Sequence, residues 1–313
     1  MKIGLITNES IGVNLHRIYT PYKYLSKIHE VVMVNQITSS SEFDLIVFNR
    51  FPNQCITDLE ILKSKGVKII VDIDDWIELP SYHYNYSNLK IKQIAPLLDC
   101  LNLADVITTS TKLLQYELKK IGFKSEVLPN FIDTNVKNEP KKHAIGWVGG
   151  AGHVNNLLTM TKAMAHNYAA KRILGGYTNG EMQSEFYRKI MSSNGIYNVE
   201  LRKPKKENYM ELYKDITIGL LPCFKDKFSL CKSDLRALEY AAMGIVGVTN
   251  GGCYSETKAV QCITDRDIRN EIEKLIISNK YYNDMQSKQV EWFVHRNNIK
   301  KITQKRMQII ASL

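Results

Sequence analysis

Short apolar runs alternate along the chain with longer segments whose apolar residues recur at helical spacing. The short runs have the length of buried strands, and the longer segments have the period of amphipathic helices. In the first half this pattern predicts strands at 2–7, 31–34, 44–49, 67–72, 106–109 and 125–128. It restarts in the second half and predicts strands at 144–148, 171–174, 199–202, 216–221, 245–248 and 260–263. Alternating strands and helices form parallel βαβ units, so the expected fold class is α/β with two doubly wound, Rossmann-like domains.

A polar stretch at 134–142 separates the two series and contains Asn138, Glu139 and Pro140. We therefore expect an N-terminal domain at 1–137 and a second domain at 138–290. The remaining segment, 291–313, mixes apolar and basic residues and is expected to be an amphipathic helix. Two domains of this type enclose a cleft between them, and ligands of this architecture bind there.

The composition is that of a globular protein with two ordinary cores, since 44% of the 313 residues are apolar. No apolar run is long enough to span a bilayer, and the chain opens on a strand pattern rather than on a signal peptide. We therefore expect a cytoplasmic protein. The six cysteines show neither a CxxC pair nor metal-ligand spacing, and we expect them to be reduced packing residues.

The net charge of +10 arises entirely in the second half of the chain. Residues 1–137 hold 15 Lys or Arg and 15 Asp or Glu, whereas residues 138–313 hold 27 and 17. Basic clusters lie at 202–206 and 296–306. Such clusters suit an anionic partner larger than a nucleotide, such as DNA or an anionic membrane surface, but a solvated surface gives the same pattern. Nothing in the sequence indicates the oligomeric state.

The most informative segment is KSDLRALEYAAMG at 232–244. At about 100° per residue, Lys232, Arg236 and Glu239 fall on one stripe of a helix whose opposite face is apolar. Gly244 ends this helix, and 245–248 follows as a buried strand. The stripe presents two cations and a carboxylate to a ligand, although an exposed row of ion pairs has the same spacing.

This segment resembles the donor-binding segment of GT-B glycosyltransferases, especially those of family 4. The resemblance implies that Lys232 contacts the diphosphate of a nucleotide sugar and that Glu239 holds its ribose hydroxyls. It also places Arg236 and Ser233 in the binding segment. The family pattern has a Glu where this chain has Cys231, so the sugar, a hexose or a pentose, stays undefined. A UDP-sugar is the expected donor.

The first domain contributes residues to the same resemblance. After the first strand, Gly12 would let backbone amides approach a phosphate or sugar, and Arg17 is expected to face the cleft. The segment VLPNFID at 127–133 resembles the family's domain-crossing segment and contributes Asn130.

The second domain opens on GWVGGAGH at 146–153, which resembles the glycine loop of the donor domain. Its expected ligand-binding residues are Gly149, Gly150 and His153, with backbone amides directed at the diphosphate. The family architecture also implies that the last helix, 291–313, packs back on the N-terminal domain.

Asp72, Asp74 and Asp75 permit two interpretations. A DxD motif binds a divalent metal in GT-A glycosyltransferases. The two separate strand–helix series favour the other interpretation, in which Asp74 and Asp75 follow the fourth strand and contact sugar or acceptor hydroxyls. No metal site is therefore predicted. The aromatic loop at 80–86 follows and has the composition of a stacking surface for sugars or bases.

The resemblance implies an enzyme that transfers a sugar from a nucleoside diphosphate sugar to an acceptor hydroxyl, with retention and without a bound metal or cofactor. Lys232 and Arg236 would stabilise the leaving diphosphate, and Asp75 would contact the reacting hydroxyls. Expected acceptors are a cell-envelope glycan or lipid and, second, modified pyrimidines of phage DNA. With a lipid acceptor the protein would lie at the inner membrane face.

Two other classes remain as alternatives. The chain would be a non-catalytic nucleotide- or sugar-binding module if the substitution at Cys231 marks lost activity. A dehydrogenase is disfavoured, because no GxGxxG follows the first strand.

Overall fold

The computed structural model describes residues 1–7, 15–50, 56–83, 86, 94–133, 142–150, 153–165, 170–176, 188, 191–202 and 209–313. Each half of the chain builds one six-stranded parallel sheet, which confirms the predicted fold class. The strands of the first sheet are β1 (Lys2–Ile6), β2 (Glu30–Val34), β3 (Leu45–Asn49), β4 (Lys68–Ile73), β5 (Val106–Thr109) and β6 (Glu126–Val127). Their order is β2-β1-β3-β4-β5-β6.

The second sheet has the same design with a different strand order. Its strands are β7 (Ala144–Gly149), β8 (Lys171–Gly176), β9 (Val199–Arg202), β10 (Ile218–Leu221), β11 (Val246–Thr249) and β12 (Val260–Gln261). They are arranged as β12-β11-β10-β7-β8-β9. The strand order reverses between β1 and β3 in the first sheet and between β7 and β10 in the second. Ligands bind beside such reversals in doubly wound sheets.

Helices connect and cover the strands. The α-helices are α1 (Thr20–Lys23), α2 (Ile56–Ser64), α3 (Ile94–Leu103), α4 (Lys112–Lys120), α5 (Val154–Leu158), α6 (Thr161–Ala165), α7 (Lys227–Leu230), α8 (Leu235–Ala242), α9 (Asp265–Ile277), α10 (Asn279–Arg296) and α11 (Ile299–Ala311). A π-helical turn spans Leu15–Tyr19, and 3-10 turns span Leu25–Lys27, Tyr209–Tyr213 and Gly252–Tyr254. Within the described ranges, no helix combines the length and apolar character needed to cross a membrane.

The strands form where the sequence is apolar almost without interruption, because both faces of each sheet are covered. In β3, for example, Leu45, Ile46, Val47 and Phe48 are all buried. Each of the twelve predicted strands overlaps an observed one. The predicted domain boundary at 137/138 falls outside the described residues.

The C-terminal segment forms two helices rather than one. The break between α10 and α11 falls at Asn297, whose side chain makes two 2.8 Å hydrogen bonds with the backbone of Ile132. Asn298 then caps α11 by accepting a hydrogen bond from the backbone of Lys301. Beyond the break, Ile309 and Ile310 pack in the core of the first domain. The break lets the chain attach to the segment after β6 and then continue over the core of the first domain.

Candidate functional site

The carboxyl end of β7 forms the floor of the candidate site. Gly149 is its last residue, and a Cβ atom there would lie 2.5 Å from Trp147 Cζ2 and 2.8 Å from Arg236 Nη2. Glycine is required because the Arg236 side chain passes this point, with its guanidinium carbon 5.2 Å from the centre of the Trp147 ring. The backbone of Gly149 therefore lies beside a cation at the point where the strand order reverses, and Gly150 follows it with open space around its Cα.

The structure corrects the prediction that Lys232 belongs to the helical stripe. Helix α8 begins only at Leu235, while the backbone N–H of Lys232 donates to Ser229 in the turn that ends α7. The Asp234 carboxylate accepts two 2.9 Å hydrogen bonds from Arg296. This bidentate pair holds the residue before α8 against α10, so Lys232 lies in the preceding loop. Arg236 and Glu239 remain on the helix.

Lys232 connects the two sides of the site. Its ammonium nitrogen lies 3.4 Å from Nδ1 of His153 and 3.7 Å from the Asp75 carboxylate of the first domain. It also lies 4.3 Å from the centre of the Phe228 ring. The side chain is 12% exposed, so it is ordered by its neighbours yet open to a ligand.

His153 lies deep in the site as a neutral group. Burial, with the positive charges of Lys232 and Arg236, holds the pKa of His153 well below its ordinary value. The imidazole is therefore uncharged at neutral pH, and its Nδ1 can accept a hydrogen bond from Lys232. His153 contributes shape and hydrogen bonding to the site rather than a third positive charge.

The Glu239 carboxylate is buried, with 2% of the side chain exposed. One oxygen lies 3.3 Å from Nε2 of His16 in the first domain. The other accepts a hydrogen bond from the hydroxyl of Tyr213. The predicted ribose-binding carboxylate is thus held by one residue from each domain.

The carboxyl ends of β3 and β4 form the opposite wall. Arg50 donates 3.1 Å and 2.7 Å hydrogen bonds to Asp74 and Asp75, and its φ of 61° lies in the left-handed region. Such strain in a non-glycine residue is typical of functional sites. Burial opposes ionisation of Asp74, but Arg50 and Asn49 outweigh it and hold the pKa of this carboxyl below its ordinary value. Both carboxylates are therefore engaged by a cation.

Arg17 lies in a buried network below this wall rather than on the surface of the cleft. Its guanidinium donates two hydrogen bonds to Asp72, at 2.8 Å and 2.5 Å, and one to the carbonyl of Leu128. A further 2.9 Å bond reaches Asn130, whose amide donates to Ser233 at 2.7 Å. The expectation that Arg17 faces the cleft is thus corrected: a buried carboxylate at β4 draws the guanidinium inward.

The carboxylates at and after the end of β4 are paired with arginines: Asp72 with Arg17, and Asp74 and Asp75 with Arg50. Asp72 also accepts a 2.6 Å hydrogen bond from Thr108, in addition to its pair with Arg17. Among the residues that the structure describes, no group of three or more His, Cys, Asp or Glu has the arrangement of a metal site. The geometry of these carboxylates favours ion pairing over metal ligation.

A segment of the second domain is packed into the first just before Lys232. Phe228 and Cys231 belong to the apolar core that includes Trp76. The Tyr82 hydroxyl, from the predicted aromatic loop, donates a 2.7 Å hydrogen bond to Asp226. The loop thus anchors the two domains at the described position 82, while 84 and 85 lie outside the described residues.

A cavity of about 600 Å³ opens on the other side of His16. Its walls are Leu5, Leu15, His16, Tyr19, Thr20, Tyr22, Lys23, Ser26, Val31, Met33, Phe131, Asp133, Tyr209 and Met210. Lys23 and Asp133 are the only residues with fully charged side chains in this set, and they lie 3.4 Å apart. The cavity is therefore aromatic and close to neutral.

The basic clusters are largely engaged within the protein. Arg202 pairs with Glu200 and Asp215, and Arg296 pairs with Asp234. Arg306 is buried, with its guanidinium carbon 5.0 Å from the centre of the Tyr22 ring. The lysines at 203, 205 and 206 lie outside the described residues. Lys305 pairs with Glu126 at 3.0 Å, whereas Lys300 and Lys301 are exposed. The arginines of these clusters therefore make contacts within the protein, and two lysines of α11 face solvent.

The structure gathers most of the predicted site residues around one cleft. Lys232 contacts His153 and Asp75, Arg236 passes Gly149, and Asn130 bonds to Ser233 across the domains. Asp74 is paired with Arg50 beside Asp75, and Glu239 is buried between His16 and Tyr213. Gly12 lies outside the described residues. Sequence analysis missed His16, Arg50 and Tyr213. Arg50 could have been identified as a site residue from the sequence, because it directly follows a buried strand of a parallel sheet. No comparable sequence feature identifies His16 or Tyr213.

No protein-family model matches the chain, and no curated protein sequence does. Solved structures do match. A glycosyltransferase from Rickettsia africae superposes with a TM-score of 0.64 at 10% identity, over 98% of this chain and 97% of that one. A T4 phage BGT mutant in complex with UDP-glucose gives 0.59 at 12% identity, over 98% and 99%.

A third match is S. aureus TarM in complex with fondaparinux, alpha-GlcNAc-glycerol and UDP. Its TM-score is 0.59 at 13% identity, over 92% of this chain. The chain spans 57% of the length of that TarM chain. UDP-N-acetylglucosamine 2-epimerases also occur among the matching structures. At these identities the matches show a shared fold, two Rossmann-like domains of the GT-B type.

Proposed function

On this GT-B fold, we propose that the protein is a glycosyltransferase that moves a sugar from a nucleoside diphosphate sugar to an acceptor hydroxyl. One observation carries the proposal. Lys232 lies 3.7 Å from Asp75 of the first sheet, Arg236 passes Gly149 at the carboxyl end of β7, and Glu239 follows Arg236 on the same helix. Cations, amides and a carboxylate in one cleft match a diphosphate that carries a ribose.

In the proposed complex the donor is a UDP-sugar. The solved structures of similar fold that contain UDP or UDP-glucose support this choice. Glu239 accepts hydrogen bonds from the ribose hydroxyls. Lys232, Arg236 and the amides after β7 hold the diphosphate. The sugar then points across the cleft toward Asp74 and Asp75.

The chemical step follows from these positions. As the bond between sugar and diphosphate breaks, negative charge grows on the leaving diphosphate, and Lys232 and Arg236 stabilise it. Asp75 lies between Arg50 and Lys232, so it orients a sugar or acceptor hydroxyl instead of removing its proton. In the proposed course, the acceptor attacks from the face of the leaving group and the departing diphosphate takes its proton. This course retains the anomeric configuration, which proton NMR of the product measures directly.

We propose that the acceptor extends from the reacting groups into the cavity beside His16, whose walls contain neither Asp75 nor Lys232 and suit a neutral, ring-bearing group such as a glycan better than DNA. Its volume of about 600 Å³ lies within the range of small-molecule sites, and the half-buried Tyr19 and Tyr209 are aromatic groups against which sugar rings can pack. Among the described residues of these walls, Lys23 is the one lysine or arginine, and it lies 3.4 Å from the Asp133 carboxylate, so the described wall offers a phosphate backbone little positive charge. Acceptor binding should therefore depend little on salt, whereas DNA binding would fall steeply between 50 and about 200 mM salt.

The test is transfer from UDP-glucose and UDP-N-acetylglucosamine to a panel of glycans and duplex DNA, followed by UDP release. Lys232→Ala should lower kcat by about 10²–10³-fold, as expected for one donor to a leaving group. Glu239→Ala should raise the KM of the donor. Lys225→Ala, an exposed lysine close by in sequence, is the matched control and should behave as wild type.

Three results would contradict the proposal. Nucleotide binding without turnover on any acceptor would identify a binding module. Isomerisation of the UDP-sugar without transfer would identify an epimerase. This activity is tested because epimerase structures are among those with a similar fold. Equal activity of the Lys232→Ala and Lys225→Ala proteins would remove Lys232 from the site.

A further inference from the structure

We infer that Cys223 and Cys253 form a modification site: oxidation by a peroxide joins them in a reversible disulfide, which loosens the turn that carries Lys232 and weakens donor binding. The two sulfur atoms lie 3.6 Å apart. A disulfide has about 2.05 Å between its sulfurs, so a movement of about 1.5 Å by the two side chains closes the bond. The effect on the donor rests on the proposed function, whereas formation of the disulfide does not.

The fold places the two cysteines at the ends of adjacent strands. Cys223 follows β10, Cys253 lies in the 3-10 turn Gly252–Tyr254 after β11, and β10 and β11 are hydrogen-bonded neighbours in the second sheet. Gly252 has a φ of 66°, and a Cβ atom there would collide with the sulfur of Cys223. Glycine therefore lets the turn approach this sulfur, and the backbone N–H of Cys253 donates to it at 3.4 Å. Two residues 30 positions apart in the chain are held together in this way.

The surroundings of Cys223 differ from those of an ordinary packing cysteine. Cys100 and Cys262 lie in the apolar cores of the two domains, and burial raises the pKa of each thiol to about 12. At Cys223 the direction is opposite. The hydrogen bond from the Cys253 thiol, together with the Cys253 backbone N–H and the charge of Lys232, outweighs burial and holds the pKa of Cys223 below its ordinary value. Cys223 is therefore the sulfur of the pair that loses its proton more readily, and a thiolate is the reactive form of cysteine.

Hydrogen peroxide is an oxidant small enough for this pair. Cys223 is 2% exposed, but Cys253 is half-buried and leaves one side of the pair open to a molecule close to water in size. The Cys223 thiolate attacks one oxygen of the peroxide, the O–O bond breaks, and hydroxide leaves a sulfenic acid behind. The sulfur of Cys253 then attacks the sulfenic sulfur, and the sulfenic hydroxyl leaves with the thiol proton as water. The two thiols lose two electrons and the peroxide becomes water, while a dithiol reductant reverses the bond by exchange.

The Cys223 sulfur is also joined to the turn that carries Lys232. Its thiol donates to the carbonyl oxygen of Ser229 across 3.6 Å, and the backbone N–H of Lys232 donates to the same oxygen at 3.3 Å. In the disulfide this sulfur has no proton to donate and is drawn toward Cys253, so the turn loses a support. Because Lys232 holds the diphosphate in the proposed complex, oxidation should weaken UDP binding by about 2- to 10-fold, the fold-change for one neutral hydrogen bond.

The experiment treats the reduced protein with hydrogen peroxide, removes the peroxide with catalase, and measures the intact mass and the affinity for UDP by calorimetry. Wild type should lose the mass of two hydrogen atoms, and peptide mapping should join the segments that contain residues 223 and 253. Cys223→Ser and Cys253→Ser should each prevent this bond. Cys262→Ser, which changes a buried cysteine of the same domain, is the matched control and should still form it. UDP affinity should fall on oxidation of wild type and return after reduction with dithiothreitol.

Free thiols at 223 and 253 after peroxide treatment, or their separate oxidation to sulfinic acids, would overturn the inference. A disulfide between them with unchanged UDP affinity would overturn its link to Lys232. An equal loss of affinity in peroxide-treated Cys253→Ser would assign the effect to oxidation at another residue. The two serine variants remove one sulfur each, so either one provides the test if the other does not fold. Absence of UDP binding by reduced wild type would instead contradict the proposed function, and the mass measurement would still decide whether the disulfide forms.

Discussion

Replacing Gly149 by alanine is the sharpest test of the site geometry, because the neighbouring glycine provides its own control. A Cβ atom at 149 would lie 2.5 Å from the Trp147 ring and 2.8 Å from the Arg236 guanidinium. A Cβ atom at Gly150 would have no heavy atom within 4 Å. The same methyl group is thus added at adjacent positions, once into a packed contact and once into open space.

The free-energy cost of Gly149→Ala depends on which neighbouring side chains can move away from the added methyl group. Trp147 is fully buried, so it cannot swing away, and the arginine must leave its place over the ring. Overpacking of this kind costs about 1–3 kcal/mol, offset by about 0.4–1 kcal/mol from the lower entropy of the unfolded chain. The expected net loss relative to wild type is about 0–2.6 kcal/mol. At about 2–4 °C per kcal/mol, Tm should fall by up to about 10 °C.

Thermal and urea unfolding of Gly149→Ala and Gly150→Ala measure this difference. Gly150→Ala should be more stable than wild type by about 0.4–1 kcal/mol, and Gly149→Ala should be less stable than Gly150→Ala by the full overpacking cost of about 1–3 kcal/mol. Calorimetry with UDP adds a second readout, since displacement of Arg236 should weaken diphosphate binding in Gly149→Ala. If the two variants had the same Tm, the contact between Gly149, Trp147 and Arg236 would be wrong, and with it the placement of Arg236 beside the diphosphate.

Three further predictions concern the interior and the domain junction. Arg17→Met leaves the Asp72 carboxylate buried without its partner and should cost about 3–5 kcal/mol in urea unfolding; a double variant that also carries Asp72→Leu should recover much of this loss. Phe228→Ala removes a core ring at the junction and should cost about 3–5 kcal/mol, clearly more than Phe224→Ala, whose ring is half-buried. Burial and Lys232 lower the pKa of His83 to about 4, so the unfolded chain takes up a proton first as the pH falls below about 6.5. Stability present at neutral pH is then lost between pH 6.5 and 4, by about 1 kcal/mol at pH 5 after allowance for solvent screening, and His83→Asn should flatten that slope in pH-dependent urea titrations.

Sequence pattern was sufficient for the architecture. Buried parallel strands are runs of adjacent apolar residues, so each run identifies its strand without knowledge of the others. The separation between the two strand–helix series is likewise visible locally, as the polar stretch at 134–142. The GT-B resemblance and the fold observed here agree for this reason.

The donor side of the candidate site was accessible for a related reason. Gly149, Lys232 and Glu239 lie in short segments whose order along the chain resembles that of a family. The start of α8 was nevertheless placed three residues too early, at Lys232 instead of Leu235. Helical periodicity continues through Lys232, but the pairing of Asp234 with Arg296, 62 residues away, fixes where the helix begins.

The contacts that shape the cleft depended on tertiary structure alone. Arg17 looked like a cleft residue until Asp72, 55 positions away, was seen to draw it into the core. The hydrogen bond between Tyr82 and Asp226 joins residues 144 positions apart in the chain. His16 contacts Glu239 only because the two sheets, each formed by one half of the chain, face each other. An amino-acid pattern reports how a residue differs from its neighbours in the chain, which is enough to determine burial and secondary structure. The partner of a buried charge depends on which distant group is brought within hydrogen-bond distance, and that is decided by the packing of the two domains.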